Sequence, residues 1–406
     1  MKSSLENPSG DHEGLNPLYK LSALSLLAYA NRWPSMKVQK TAPTLRRSIT
    51  SFEASASKAL SKAECLPFDE LICRRILKRK HYHYGAYLAV VSSFPILSKV
   101  MGEKIEAPVV AKTSEISSIK ALDNLNDEHH RDERAVKTME IQRQAFLNPH
   151  FRLPNANTTL SKAENSTYAL AGITCQILSS HVDPNSTTYK IFQADMDRYF
   201  KGQMESMRQK VDGKAGERSK IGIKEFLLNV NEKGVGRIWI DVDFCFLEAF
   251  HDLEEGEYRA MESVRKAIDL IFKGCNIYDD VADFKVDISH NIWNSVAYLA
   301  LDRGHCDEND LTQPTENASK ILERSGVFDE AVQLGDLIFL KGVEKLEEAR
   351  DCTNLIDVDA LIFNAYLLRL FAIRKWLIEA KSPLKLVKVL KPTVSDQILP
   401  YNRYII

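Results

Sequence analysis

The chain lacks a charge excess: 54 Lys and Arg stand against 55 Asp and Glu over 406 residues, a formal net charge of −1. That balance gives no basic field for nucleic acid and no acidic tail, so an anionic ligand has to be met by a local site. Paired cysteines are missing as well. The seven thiols, at 65, 73, 175, 245, 275, 306 and 352, are scattered, odd in number and free of CxxC or zinc-type spacing. This predicts reduced thiols and a cytoplasmic protein, with Cys245 and Cys275 packed among apolar neighbours. No basic start followed by an apolar stretch marks a signal peptide. The longest apolar run, 86–98, is broken by Ser92, Ser93 and Pro95 and is too short to cross a bilayer, which predicts solubility and leaves 84–101 to touch a membrane or line an apolar pocket. Repeats at solenoid periods and low-complexity segments are absent too. Period-two alternation occurs only over 236–244, and with no partner strand or turn chemistry nearby that segment is expected to be helix, the glycines at 234 and 236 breaking or kinking the helix before it.

What remains is helical periodicity. It runs through 51–63, 68–79, 84–101, 114–147, 159–180, 186–211, 221–231, 237–253, 257–286, 288–303, 317–325, 329–349 and 357–380, with Asp183-Pro-Asn-Ser-Thr as a start signal and Gly304 as a stop. Residues 1–15 are expected to be disordered, 16–32 to form a first helix and 32–50 a loop. The organisation that follows is a tail, helix and loop over 1–49, then one all-α domain over 50–406, a single large bundle of a dozen or so helices.

One stretch stands out from this background. In Asn276-Ile-Tyr-Asp-Asp-Val-Ala-Asp-Phe-Lys-Val-Asp-Ile-Ser-His-Asn291, carboxylates recur at three- and four-residue steps inside an apolar, helical context. On a helix, Asp280, Asp283, Asp287 and Asn291 fall within about 80° of one another, with Asp279 and His290 along one margin. Carboxylates crowded this way repel unless cations neutralise them, so the face is expected to bind Mg²⁺. A sparser copy lies at Ala121-Leu-Asp-Asn-Leu-Asn-Asp-Glu-His-His-Arg131, where Asp123 and Asp127 are one turn apart. A joint site between the two has to be made by folding.

Asp279-Asp280-x-x-Asp283-x-x-x-Asp287 resembles the second aspartate-rich motif, DDxxDxxxD, of trans-prenyl diphosphate synthases. Its spacing overlays the (N/D)Dxx(S/T)xxxE metal motif of class I terpene cyclases, with Asp in place of the Ser/Thr and the Glu. Asp123-x-x-x-Asp127 resembles the DxxxD first motif of squalene and phytoene synthases. The chain therefore looks like a class I isoprenoid synthase over roughly 50–400, with specific matches confined to the two motifs. The resemblance implies that Asp123, Asp127, Asp279, Asp280, Asp283, Asp287 and Asn291 hold several Mg²⁺ ions, or Mn²⁺ in their place, around the diphosphate of a prenyl substrate, whose loss leaves an allylic cation. It implies basic residues completing the cage, with Arg131, Arg134, Lys137 and Arg237 as candidates. Tyr278, Trp239, Phe244 and Phe246 are the candidate walls for the cation. Arg403-Tyr404 resembles the RY pair of bacterial terpene cyclases. The first motif is not DDxxD, no RRG follows it and no GGKR-type segment precedes it. These departures favour cyclisation or elimination over prenyl transfer.

Two other readings stay open. Asp127-x-x-His130 and Asp287-x-x-His290, with Glu248-x-x-His251, have the carboxylate–His spacing of helical di-iron or di-manganese sites. The stretch from Arg74 to Tyr84, with five Lys or Arg and two Tyr, has the composition of a binding surface for an anionic partner or membrane, and is also what an exposed helix end looks like. The enzyme reading expects no nucleic-acid partner and leaves room for peripheral membrane contact and a homodimer.

Overall fold

The structure, a computed structural model, describes residues 38–130, 132–210, 221–312, 315–379 and 391–405. The helices are α1 (Val38–Ala59), α2 (Phe68–Cys73), α3 (Arg79–Met101), α4 (Glu106–His129), α5 (Asp132–Leu147), α6 (Thr159–His181), α7 (Thr187–Ser206), α8 (Ile223–Leu228), α9 (Gly236–Phe250), α10 (Glu255–Ser289), α11 (Ser295–Asp302), α12 (Glu308–Leu311), α13 (Thr315–Ser325), α14 (Val327–Arg350) and α15 (Val358–Glu379). Among the described residues the only β pairing is an isolated bridge between Lys210 and Ile292. The fold is all-α.

Two packing decisions place everything else. The first pairs α10, the longest helix at 35 residues, with α14. Small residues let their backbones meet: a Cβ on Gly335 would lie 2.5 Å from the Tyr278 ring, and one on Gly342 2.8 Å from the carbonyl of Ala267. The second puts α9 at the centre, against α3, α4, α7 and α10. Its first residue has to be small, because a Cβ on Gly236 would come within 2.7 Å of the Ile268 carbonyl. The alternating segment 236–244 is accordingly helix, and its Ile238, Ile240, Val242, Phe244 and Phe246 are all buried.

Several boundaries differ from those read in the sequence, each for a local reason. The loop expected over 32–50 is helical from Val38, with Pro43 inside that first helix. The expected helix 114–147 is two helices. It starts early because Pro108 falls in the first turn, where its missing N–H costs nothing. It breaks at His130, whose extended backbone accompanies a ring held 2.7 Å from Asn126 Oδ1 and 2.9 Å from Glu164 Oε1. Helix α10 runs on past 286 to Ser289 and is stopped by Asn291, which takes a left-handed conformation at φ 58°. Helix α3 spans 23 residues, longer than its apolar run suggested, and is by length and composition able to cross a membrane. Its Ala86, Ala89, Val90, Ile96 and Leu97 are core residues here. The expected disordered segment 1–15 and first helix 16–32 lie outside the described residues.

Candidate active site

Helix α4 carries the first acidic pair, Asp123 and Asp127, on its last two turns, and α10 carries Asp279, Asp280, Asp283 and Asp287 on its last three. Lysines link the two walls. Lys120, one turn before Asp123, places Nζ 3.3 Å from Asp123 Oδ2. The Asp123 carboxylate raises the Lys120 pKa most, and the charges of Asp279 and Asp127 raise it further, so one side chain lies within electrostatic reach of both motifs. Lys233, at the end of the 3₁₀ turn Val230–Lys233, does the same from the other side: its charge reaches Asp127 on α4 and Asp280 and Asp287 on α10.

This mouth is stitched together locally. Trp293 N–H donates to the Gln209 carbonyl at 2.9 Å, Gln209 Nε2 donates to the Trp293 carbonyl at 3.0 Å, and Lys233 Nζ donates to Gln209 Oε1 at 3.1 Å. The 3₁₀ turn Met207–Gln209 after α7 and the loop after α10 are thereby tied to the lysine between the walls. Lys210, next in the chain, also acts on Asp127.

The acids show the strain of their crowding. Asp127 still reaches solvent, yet the protein around it and the charge of Asp123 push its pKa up to about 6, against the pull of the three lysines. Asp287, half-buried, is pushed up to about 7 by loss of water and by Asp280 and Asp283, with Asn294 Nδ2 donating to its Oδ2 at 2.8 Å. Asp280 is different. It is buried, burial raises its pKa, and its Oδ2 accepts the backbone N–H of Ser295 at 2.9 Å, which fixes the start of α11. Asp279 and Asp287 thus lie within electrostatic reach of the lysines, with Asp283 between them at i, i+4, i+8 spacing, while Asp280, which Lys233 also reaches, anchors the start of α11.

The remaining candidates divide plainly. Asn291 follows the end of α10 and does not extend the helical face on which the sequence put it. Arg134 is committed to Glu164, with Nε 2.9 Å from Oε1, and Arg237 to Asp269 at 3.0 Å. Lys137 is exposed on α5. Arg131 lies outside the described residues. Tyr278 faces away from the acids: fully buried, it donates to Asp336 Oδ1 at 2.6 Å and accepts from Arg369 Nε at 3.2 Å. Phe244 and Phe246 are core, and Trp239 donates through Nε1 to Ser92 Oγ at 3.1 Å. Arg403 stacks on Tyr404 at 4.7 Å, and Lys224 of α8 lies 5.8 Å from the same ring.

The residues on which a di-iron site would depend are occupied otherwise. Glu248 accepts from the N–H groups of Thr187 and Thr188, at 3.1 and 2.7 Å, and so caps α7, while His251 pairs with Glu257 at 3.4 Å. His130 is held by Asn126 and Glu164. The lysines at 120, 210 and 233 were the residues that motif reasoning passed over. Only Lys120 had a local signal, its i, i+3 spacing to Asp123.

Among the described residues no three acidic, His or Cys side chains are already gathered as a metal cage. Mg²⁺ does not need one, since it is commonly held by one or two carboxylates with substrate phosphate and water as its other ligands. The donor set fits: the acids turned to the gap offer oxygen only, and Asp127 and Asp287, raised first by loss of water, are raised further by neighbouring carboxylates whose charge a cation would relieve.

No protein-family model matches the chain, and no curated protein matches it. Among solved structures, the chain is similar to a cucumene synthase variant, at 10% sequence identity and a TM-score of 0.41, over 80% of this chain and 92% of that one.

Proposed function

We propose that the chain is an enzyme of the class I isoprenoid synthase kind, which binds a prenyl diphosphate between α4 and α10 and ionises it, the cation then cyclising or losing a proton. The observation that carries this reading is the pair of lysines, Lys120 and Lys233, each within electrostatic reach of carboxylates on both helices. Acids opposed in this way suit a dianionic or trianionic group only when cations accompany it. Asp123 and Asp127 on one side and Asp279, Asp283 and Asp287 on the other would hold Mg²⁺. Bound there, the metal would act as a Lewis acid toward the leaving diphosphate. Lys120, Lys210 and Lys233 would bind and orient the phosphate oxygens, and Lys233 is itself oriented by Gln209.

The test is incubation of the protein and Mg²⁺ with C10 to C35 prenyl diphosphates, with and without isopentenyl diphosphate. The expected outcome is diphosphate release with a hydrocarbon or alcohol product. A longer diphosphate would instead make the chain a prenyltransferase, and no release from any substrate would overturn the proposal. Lys233→Gln should weaken binding of inorganic diphosphate with Mg²⁺ about tenfold, the scale of one hydrogen bond to a charged group.

A further inference from the structure

We propose that Glu115 is the proton acceptor that ends the cation's lifetime, forming the product's double bond; this rests on the function proposed above. Glu115 lies two turns before Asp123 on α4, about 12 Å along the axis and within about 80° of it around the helix. A prenyl chain held diphosphate-first at Asp123 would extend past this point. Tyr199 of α7 connects the two positions: it is fully buried, and the charges of both Asp123 and Glu115 act on its hydroxyl.

The surroundings of Glu115 are polar, buried and already satisfied without it. Lys112 Nζ donates to Ser92 Oγ at 2.8 Å, to Ser93 Oγ at 3.2 Å and to Asp243 Oδ2. Those are all three of its N–H groups. The other Asp243 oxygen accepts from Ser93 Oγ at 2.6 Å, and Trp239 donates to Ser92. Glu115 is left over. It is 0% exposed, and among the described residues neither of its carboxyl oxygens has a hydrogen-bond partner. Leaving such a group unpaired costs on the order of 1–3 kcal/mol. Its partner is to be sought in what the site binds.

The electrostatics suit proton exchange. Burial pushes the Glu115 pKa up to about 8, Lys112 of α4 pulls it down and Asp243 of α9 pushes it up. From α7, Tyr199 feels the Glu115 charge, while the α3 hydroxyls of Ser92 and Ser93 are engaged with Lys112. A group that titrates near neutrality both takes and returns a proton. In the step, a C–H bond beside the cationic carbon breaks, its electron pair becomes the C=C bond, and the proton passes to the Glu115 carboxylate. The resulting carboxylic acid returns the proton to water after product leaves.

The test compares wild type with Glu115→Gln on a prenyl diphosphate that wild type turns over, measuring released diphosphate and products by mass between pH 6.5 and 9. The expected result is that the main alkene, per diphosphate released, falls about tenfold or more in the variant. Wild-type product ratios should change with pH near 8 and those of the variant should not. Release with an unchanged, equally pH-dependent product pattern would overturn the role of Glu115 alone, whereas no release from wild type would overturn the functional reading beneath it. If the Gln variant fails to fold, Glu115→Asp carries the same comparison: its shorter carboxyl should alter the product ratio, and an unaltered ratio would overturn the proposal.

Discussion

Two adjacent residues of α10 face opposite worlds. Tyr278 turns toward α14 and α15, where Asp336 accepts from Tyr278, from Arg369 Nε at 2.8 Å and from the Thr393 N–H at 2.9 Å. Asp279 turns the other way, to an exposed face shared with Asp283 and within reach of a lysine on another helix. The first set is a closed network in which each charge meets an opposite charge or a donor. The second is a row of carboxylates in which loss of water, with Asp280 and Asp283 close by, pushes Asp287 up to about 7. A helix invests in the first to hold its shape, and keeps the second, at a cost in stability, for a ligand.

The largest effect that would break this contrast is loss of the half-buried acid Asp283. Asp283→Ala should cut diphosphate release by about a thousandfold or more, the scale of removing a group that stabilises charge in the transition state. Its melting temperature should stay the same or rise, because a like charge is gone. Asp280→Ala should behave otherwise, lowering the melting temperature by several degrees, because the buried Ser295 N–H loses its acceptor. Thermal melts beside release assays decide the matter, and matching melting losses in the two variants would show that the face is structural throughout.

On the closed side the expected effect is on folding. Arg369→Met should cost about 3–5 kcal/mol in urea unfolding, because Asp336 would remain buried without its cation. Adding Asp336→Asn to that variant should recover part of the loss. If the double variant is no more stable than the single one, charge pairing is not what holds this seam.

The all-α architecture was legible in the sequence because amphipathic periods and the lack of paired alternating segments leave few alternatives. The acidic run on α10 was legible for the same reason: carboxylates stand out against Ile277, Val281, Phe284 and Ile288, which are buried. What sequence spacing did not disclose was which acid faces inward, since Asp279 and Asp280 differ by one step and only the position of Ser295 decides between them. Basic partners were harder still. Arg134 and Arg237 looked available until folding brought Glu164, Asp195 and Asp269 to them, whereas Lys233 looked like a loop residue until Gln209 brought it to the acids. The stretch Lys112-Thr-Ser-Glu115 gave no sign of its place, because its composition belongs on a surface and every one of its residues is buried.

That buried stretch gives the smallest and most discriminating effect, because Glu115 and Asp336 are both buried acids and, among the described residues, only Asp336 has hydrogen-bond partners. An unfolded glutamate titrates near 4.3, and folding raises Glu115 to about 8. Between those values the folded state holds a proton that the unfolded state has released, so this group makes stability fall as pH rises, by up to about 1.4 kcal/mol per pH unit. Below the window both states are protonated and above it both are ionised, so the slope from this group vanishes at either end. Glu115→Gln removes the titration. With chelator present, the variant should lose less stability than wild type between pH 5 and 8, and should equal or exceed it at pH 8.5. Parallel stability curves for the two proteins would mean that Glu115 finds in solution a partner as good as the one Asp336 has in Arg369, and the distinction between a closed network and an open one would fail at that residue.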